Sequence, residues 1–136
     1  EEATVKHFNY NSSVVAINDG KGGFTVQKLP PMTQLSSTNA LCITDVNDDG
    51  KLDLIVGGNK FGFPPQFGRL DASYGDVLIN TGNGKFTRIA PRMTGLNLAG
   101  EVRDIKEIKS KDKRYILFTI IDRFPVLYQL ENNSGH

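Results

Sequence analysis

The sequence predicts an all-β chain, a partial β-propeller of four-stranded antiparallel blades with one blade full and two incomplete. Three observations carry that prediction. Short apolar runs alternate with Gly/Asn/Asp turns, as strands and their connections do. No stretch shows a convincing helical period of about 3.6 residues. A hairpin pattern comes back after about sixty residues, and strands repeated at such an interval build blades around an axis.

In chain order, residues 1–10 form a mixed polar opening with Val5 and Phe8, an edge strand or a frayed end. Val14-Val15-Ala16-Ile17 reads as a strand, and Asn18-Asp19-Gly20-Lys21-Gly22-Gly23 as a turn of residues that tolerate positive φ. Phe24-Thr25-Val26-Gln27-Lys28-Leu29 alternates as a half-buried strand until Pro30-Pro31 stops it. Ala40-Leu41-Cys42-Ile43 and Leu54-Ile55-Val56 are apolar runs that read as buried strands, the second ending in Gly57-Gly58. A long loop covers 59–75. Val77-Leu78-Ile79 follows as a strand, Asn80-Thr81-Gly82-Asn83-Gly84 as a turn, and Lys85-Phe86-Thr87-Arg88-Ile89 as its partner strand. This hairpin repeats the first: Ile17-Asn18-x-Gly20-x-Gly22-x-Phe24-Thr25 returns 62 residues later as Ile79-Asn80-x-Gly82-x-Gly84-x-Phe86-Thr87.

The same offset places Glu107 where Asp45 stands and Ile116-Leu117-Phe118 where Leu54-Ile55-Val56 stand. Lys109, Lys111 and Tyr115 take the places of Asn47, Asp49 and Asp53, so the third unit keeps strands and loses acidic donors; its lysines make either a solvated basic turn or a partial stand-in for a cation. Pro125-Val126-Leu127-Tyr128-Gln129-Leu130 is a last strand. The count is a hairpin, then four strands, then three. They form a single unit over 1–136, with a blade part at about 12–30, a full blade at about 38–91 and a degenerate blade at about 100–131.

At 136 residues, with 14 Gly and 38% hydrophobic residues, the chain has the make-up of about one turn-rich globular domain. Its formal net charge of +1 gives no case for nucleic acid, and no apolar run reaches the length of a transmembrane segment. The start at Glu1 without Met predicts a processed protein or an excised piece, and Ser134-Gly135-His136 reads as a tag remnant. A single cysteine rules out an internal disulfide, which fits a reducing compartment and equally a secreted protein held by metal and packing. Cys42, inside an apolar run, reads as core filler.

The chemistry gathers at Asp45-Val46-Asn47-Asp48-Asp49-Gly50-Lys51-Leu52-Asp53. Asp45, Asp48, Asp49 and Asp53 are answered by one Lys51, so the loop repels itself unless a cation sits among them. Oxygen side chains at alternate positions (Asp45, Asn47, Asp49), the backbone carbonyl of Lys51 and then Asp53 suit a calcium ion, which takes six to eight oxygens at about 2.3–2.6 Å. Gly50 supplies the turn. A helix-flanked calcium hand needs a Glu at its twelfth position, where this chain has Val56, and the flanks here read as strands. A metal-free Asn/Asp/Gly hairpin turn uses the same residue types; the D-x-N-x-D-G-x-x-D spacing is more specific than such a turn requires.

The segment from Asp45 to Gly57, together with Ile79-Asn80-Thr81-Gly82-Asn83-Gly84-Lys85-Phe86, resembles the FG-GAP repeat, also called the VCBS-type repeat, of integrin alpha-subunit-like β-propellers. The resemblance covers about residues 14–131, most closely in the middle unit, and the last unit departs from it by lacking the ligands. It implies a structural Ca2+ held by Asp45, Asn47, Asp49, Lys51 through its backbone oxygen, and Asp53. It also implies an extracellular, periplasmic or cell-surface location, and a likeness to the C-terminal part of a large surface or secreted repeat protein of the kind common in Bacteroidetes.

Incomplete blades leave unpaired strand edges, and Leu41 to Ile43 and Ile116 to Phe118 are expected to expose apolar surface at the two ends of the unit. The expected partners are therefore the remainder of a longer propeller or further copies of the chain, with a protein or glycan ligand besides. Ligand contact is expected in the 59–75 loop, through Phe61, Phe63, Gln66, Phe67, Arg69 and Tyr74, whose aromatic faces suit a sugar or peptide. The same phenylalanines equally serve to pack the loop. Asp71-Ala72-Ser73-Tyr74-Gly75 is a faint D-x-S-x-S metal pattern with Gly75 in place of the second serine. The basic residues Arg103, Lys106, Lys109, Lys111, Lys113 and Arg114 are interleaved with acids and read as a solvated strand and turn. The only histidines are His7 and His136, so a Ser-His or Cys-His mechanism has little material.

The function expected from all this is a non-catalytic, calcium-stabilised repeat module for extracellular binding or assembly. The alternatives are a propeller fragment of a carbohydrate-active enzyme, and an assembly unit with no small ligand.

Overall fold

Val14, Val15 and Ile17 are β-branched, and such side chains pack well on a pleated surface. In the computed structural model, which describes residues 5–7, 9–64, 66 and 68–131, they begin the first of nine strands among the described residues. In order these are β1 (Val14–Asn18), β2 (Phe24–Lys28), β3 (Thr38–Thr44), β4 (Asp53–Gly58), β5 (Asp76–Gly82), β6 (Lys85–Arg88), β7 (Val102–Ser110), β8 (Lys113–Ile120) and β9 (Val126–Leu130). They form three antiparallel sheets, β1-β2, β3-β4-β5-β6 and β7-β8-β9. The chain is all-β, and the strands divide two, four and three, as the sequence pattern predicts. Phe8, Pro65, Phe67 and the tail 132–136 lie outside the described residues, and the described part of 5–13 carries no strand.

The two related hairpins share a register. Ile17 faces Thr25 and Asn18 faces Phe24; 62 residues on, Ile79 faces Thr87 and Asn80 faces Phe86. Their turns are built alike, because an asparagine side chain accepts the N–H two residues ahead. Asn18 Oδ1 takes the Gly20 N–H at 2.7 Å, and Asn80 Oδ1 takes that of Gly82 at 2.9 Å. β5 runs on to Gly82, so the second turn is tighter than the five residues read from sequence.

Two short helical turns were not expected, a 3-10 turn at Pro31–Gln34 and α1 (Pro91–Thr94). Each starts on a proline, whose fixed φ suits the first helical position, and four residues are too few to show a period. Gly95, at φ 69°, ends α1 in the left-handed conformation. No helix among the described residues is long and apolar enough to cross a membrane.

The middle sheet packs against a neighbour on both faces, along β3, β4 and β5 on one and over β4 to β6 on the other. One face presents Ala40, Cys42, Ile55 and Val77 to Val102, Ile105, Ile116 and Phe118 of the third sheet, with Leu96 and Leu98 of the connection filling between them. The other presents Val56 and Leu78, with Leu54 and Phe86 beside them, to Val15 and Leu29. Burial pushes the Cys42 thiol up, which leaves it an inert core residue.

Two expectations about burial need correction. β3, read as a buried strand, is buried on one face only, because β1-β2 covers the β4-β6 side of the middle sheet and stops short of β3. Leu41 and Ile43 are each 55% exposed, which is the apolar surface expected at that end of the unit. At the other end, Ile116 and Phe118 are buried, since they point toward the middle sheet; it is Leu127, at 54%, that faces outward there. The 62-residue register places the third unit's basic turn across 107–115, but Glu107 to Ser110 and Lys113 to Tyr115 are paired strand residues. β7 and β8 extend into a tight hairpin, Ser110 opposite Lys113, with Lys111 at φ 53° in the turn.

Candidate metal centre

The 45–53 loop joins β3 to β4, and Thr44 pairs with Asp53 at its base. Left-handed backbone at Asp48 (φ 59°) and Gly50 (φ 82°) curls the loop back on itself. The curl aims its side-chain oxygens inward at its own N–H groups. Asp45 accepts from Asp49 N–H at 3.2 Å and Gly50 N–H at 2.8 Å, Asn47 from Asp49 N–H at 3.3 Å, and Asp49 from Lys51 N–H at 2.9 Å. Asp53 accepts from Val46 N–H at 2.9 Å and, across the sheet, from Asn80 N–H at 2.8 Å. Of the five predicted donors, Asp45, Asn47 and Asp49 turn their side-chain oxygens to N–H groups of the same curl, Asp53 sits at its base on Val46 and Asn80, and Lys51 lies in the turn.

The cations near the loop are unevenly placed. Lys51 Nζ sits 2.9 Å from Asp49 Oδ2, and this hydrogen bond holds the Asp49 carboxyl below the usual range and raises the Lys51 ammonium. Arg114 reaches in from β8. It donates to Asp48 Oδ1 at 2.9 Å, Thr44 Oγ1 at 2.7 Å, the Asp45 carbonyl at 2.5 Å and Glu107 Oε1 at 2.8 Å. Thr44 closes the ring by donating to Glu107 Oε2 at 3.1 Å. Asp53 is different. It is fully buried, and among the described residues no lysine or arginine pairs with it.

The Asp53 carboxylate is out of water, where charge is costly without a cation close by, and Lys51 acts on it only through space. Each carboxylate oxygen that accepts one hydrogen bond still has a lone pair to offer. An all-oxygen donor set of this kind is the type a hard divalent cation takes, and Asp45, Asn47, Asp49, the Lys51 carbonyl and Asp53 would be the residues to hold one. As the loop stands, no three Asp, Glu, His or Cys side chains among the described residues are grouped closely enough to hold an ion, and the ammonium of Lys51 rests on Asp49.

The predicted ligand loop is less unified. The Arg69 guanidinium lies over the Phe61 ring, 5.3 Å from its centre, and Lys60 lies 6.0 Å from that of Phe63. Gln66 is exposed and Tyr74 half exposed; Phe67 lies outside the described residues. Of the described members of this set only Phe61 lines the nearby cleft, an open space of about 550 Å³ bounded also by Gly100, Glu101, Ile121 and Arg123. The Phe61 N–H donates to Glu101, and that bond holds the Glu101 carboxyl below the usual range.

Comparison with family models, with curated proteins and with solved structures found no match.

Two structural residues escaped the sequence reading. Arg114 looked like one of several solvated basic residues, and only its contacts single it out. Asn59 is buried at φ 79°. It accepts from Ser36 Oγ at 2.9 Å and Ser73 N–H at 2.9 Å, and donates to the Ser73 carbonyl at 2.7 Å and the Gly100 carbonyl at 3.0 Å. This use of Ser73 gives the 71–75 segment a packing role. Asparagine after two glycines, a residue type that tolerates left-handed backbone, was the available signal.

Proposed function

We propose that the chain is a calcium-stabilised repeat module of a β-propeller, non-catalytic, that works in extracellular protein or glycan binding and assembly. One observation carries the calcium reading: Asp53 is a fully buried carboxylate with no cationic side chain on it, at the base of a loop that also aims Asp45, Asn47 and Asp49 inward. The ion's role is mechanical. It neutralises the carboxylates and fixes the β3-β4 connection, so its binding energy becomes folding stability. The three stacked sheets of two, four and three strands, and the matched registers of the two Asn/Gly hairpins, support blades as their architecture.

Thermal melting with calcium and with chelator tests the reading. Calcium at a hundred times its dissociation constant adds about 2.7 kcal/mol, so a clear rise in Tm is expected, absent in Asp49→Ala. Identical melts with calcium and chelator overturn it.

Assembly is supported by the exposed Leu41 and Ile43 on the uncovered part of the middle sheet and by Phe24 and Val26, 62% and 56% exposed, on the outer face of β2. The remainder of a longer propeller, or another copy, fits either of these two surfaces. Sedimentation tests self-association; a stable monomer at high concentration counts against it.

A further inference from the structure

We propose that Arg114 is the positioning residue that couples the 45–53 loop to the third sheet, so that calcium in the loop tightens the docking of β8. The inference rests on the calcium reading above. Arg114 belongs to a different sheet from the loop, yet its guanidinium takes an acceptor at the loop's first residue, the Asp45 carbonyl, and another at its crest, Asp48. Asp48 lies between the donor positions Asn47 and Asp49 and holds left-handed backbone, so whatever fixes its side chain fixes the curl.

The third unit explains why the arginine is there. Its position matching Asp45 keeps a carboxylate, Glu107, but its acidic loop is replaced by the short turn at Lys111. Glu107 accepts from the Arg114 guanidinium and from Thr44 Oγ1, so the pair sits at the seam between β7-β8 and the base of the 45–53 loop. That guanidinium is largely covered, its side chain 19% exposed, and its planar fork serves four acceptors at once. A lysine has no such fork.

Because the loop and β8 share these bonds, ordering either one favours the other, and the coupling is reciprocal. An ion that fixes Asp45 and Asp49 also fixes the two groups that Arg114 holds. Severing Arg114 is therefore expected to weaken calcium binding by about tenfold.

The test is calcium titration calorimetry together with amide hydrogen exchange, on the whole chain as wild type, Arg114→Lys, Arg114→Leu and Asp48→Gly. In the wild type, calcium is expected to slow exchange at β8 as well as in the loop. In Arg114→Leu and Arg114→Lys the loop is expected to bind more weakly and β8 to stop responding. Asp48 is 42% exposed and in left-handed backbone that glycine adopts freely, so Asp48→Gly removes the acceptor without strain and carries the test if the arginine variants do not fold. Calcium affinity and β8 response unchanged from wild type in Asp48→Gly, or in the folded arginine variants, overturn the coupling alone. A wild type that does not respond to calcium overturns the calcium reading and the coupling together.

Discussion

The Asp53 carboxylate accepts the backbone N–H of Asn80 at 2.8 Å across the middle sheet, and its other oxygen accepts the N–H of Val46 at 2.9 Å. One buried side chain thus ties the start of the β3-β4 loop to the edge of the β5-β6 turn. Removing it leaves two N–H groups without a partner, each costing about 1–3 kcal/mol. Asp53→Ala is expected to lower unfolding free energy by about 2–4 kcal/mol in calcium-free buffer, measured by urea denaturation, and to remove any calcium response. A loss under about 0.5 kcal/mol, the usual surface value, contradicts this account.

Phe118 packs edge to face on Tyr128, ring centres 5.8 Å apart, and is fully buried between the second and third sheets. Large-to-small changes at such sites cost about 3–5 kcal/mol. Phe118→Ala is expected to fall in that range by denaturant melt, and Phe118→Leu to cost less because it restores part of the volume.

Ile43 makes the opposite case. At 55% exposed it has little left to lose on folding, so Ile43→Lys is expected to change stability by no more than about 0.5 kcal/mol. If the open face of β3 is where units meet, the same change lowers the mass seen by sedimentation. An unchanged mass in an associating protein places the contact elsewhere.

Glu107 gives the chain an acid-sensitive element. Burial opposes its charged form, but hydrogen bonds from Arg114 and Thr44 outweigh this and hold the folded carboxyl below its usual value of 4.5. A carboxyl depressed in the folded state contributes stability that is fully present above the unfolded value and is lost as pH falls through the folded one. The Tm of the wild type is therefore expected to begin falling below about pH 4.5. Glu107→Gln is expected to melt lower at neutral pH and to show a shallower acid slope. Parallel acid slopes in the two proteins would assign the effect to other carboxylates.

The strands, their grouping as two, four and three, the Asn/Gly turns and the place of the 45–53 loop between two strands were legible in the sequence. All of these are local. Alternation of apolar residues, β-branched composition, turn residues with their own backbone preferences and a run of closely spaced carboxylates act over a few neighbours and leave a mark at each position. Which face of β3 stays open was decided only when β1-β2 took its place over β4-β6, and which of six basic residues matters was decided by the one that reaches Asp48, 66 positions away in the chain. Asn59 likewise earns its role from Ser36, Ser73 and the Gly100 carbonyl. Contacts of that span depend on how sheets stack, and sheet stacking is a property of the whole core that no short stretch of residues encodes.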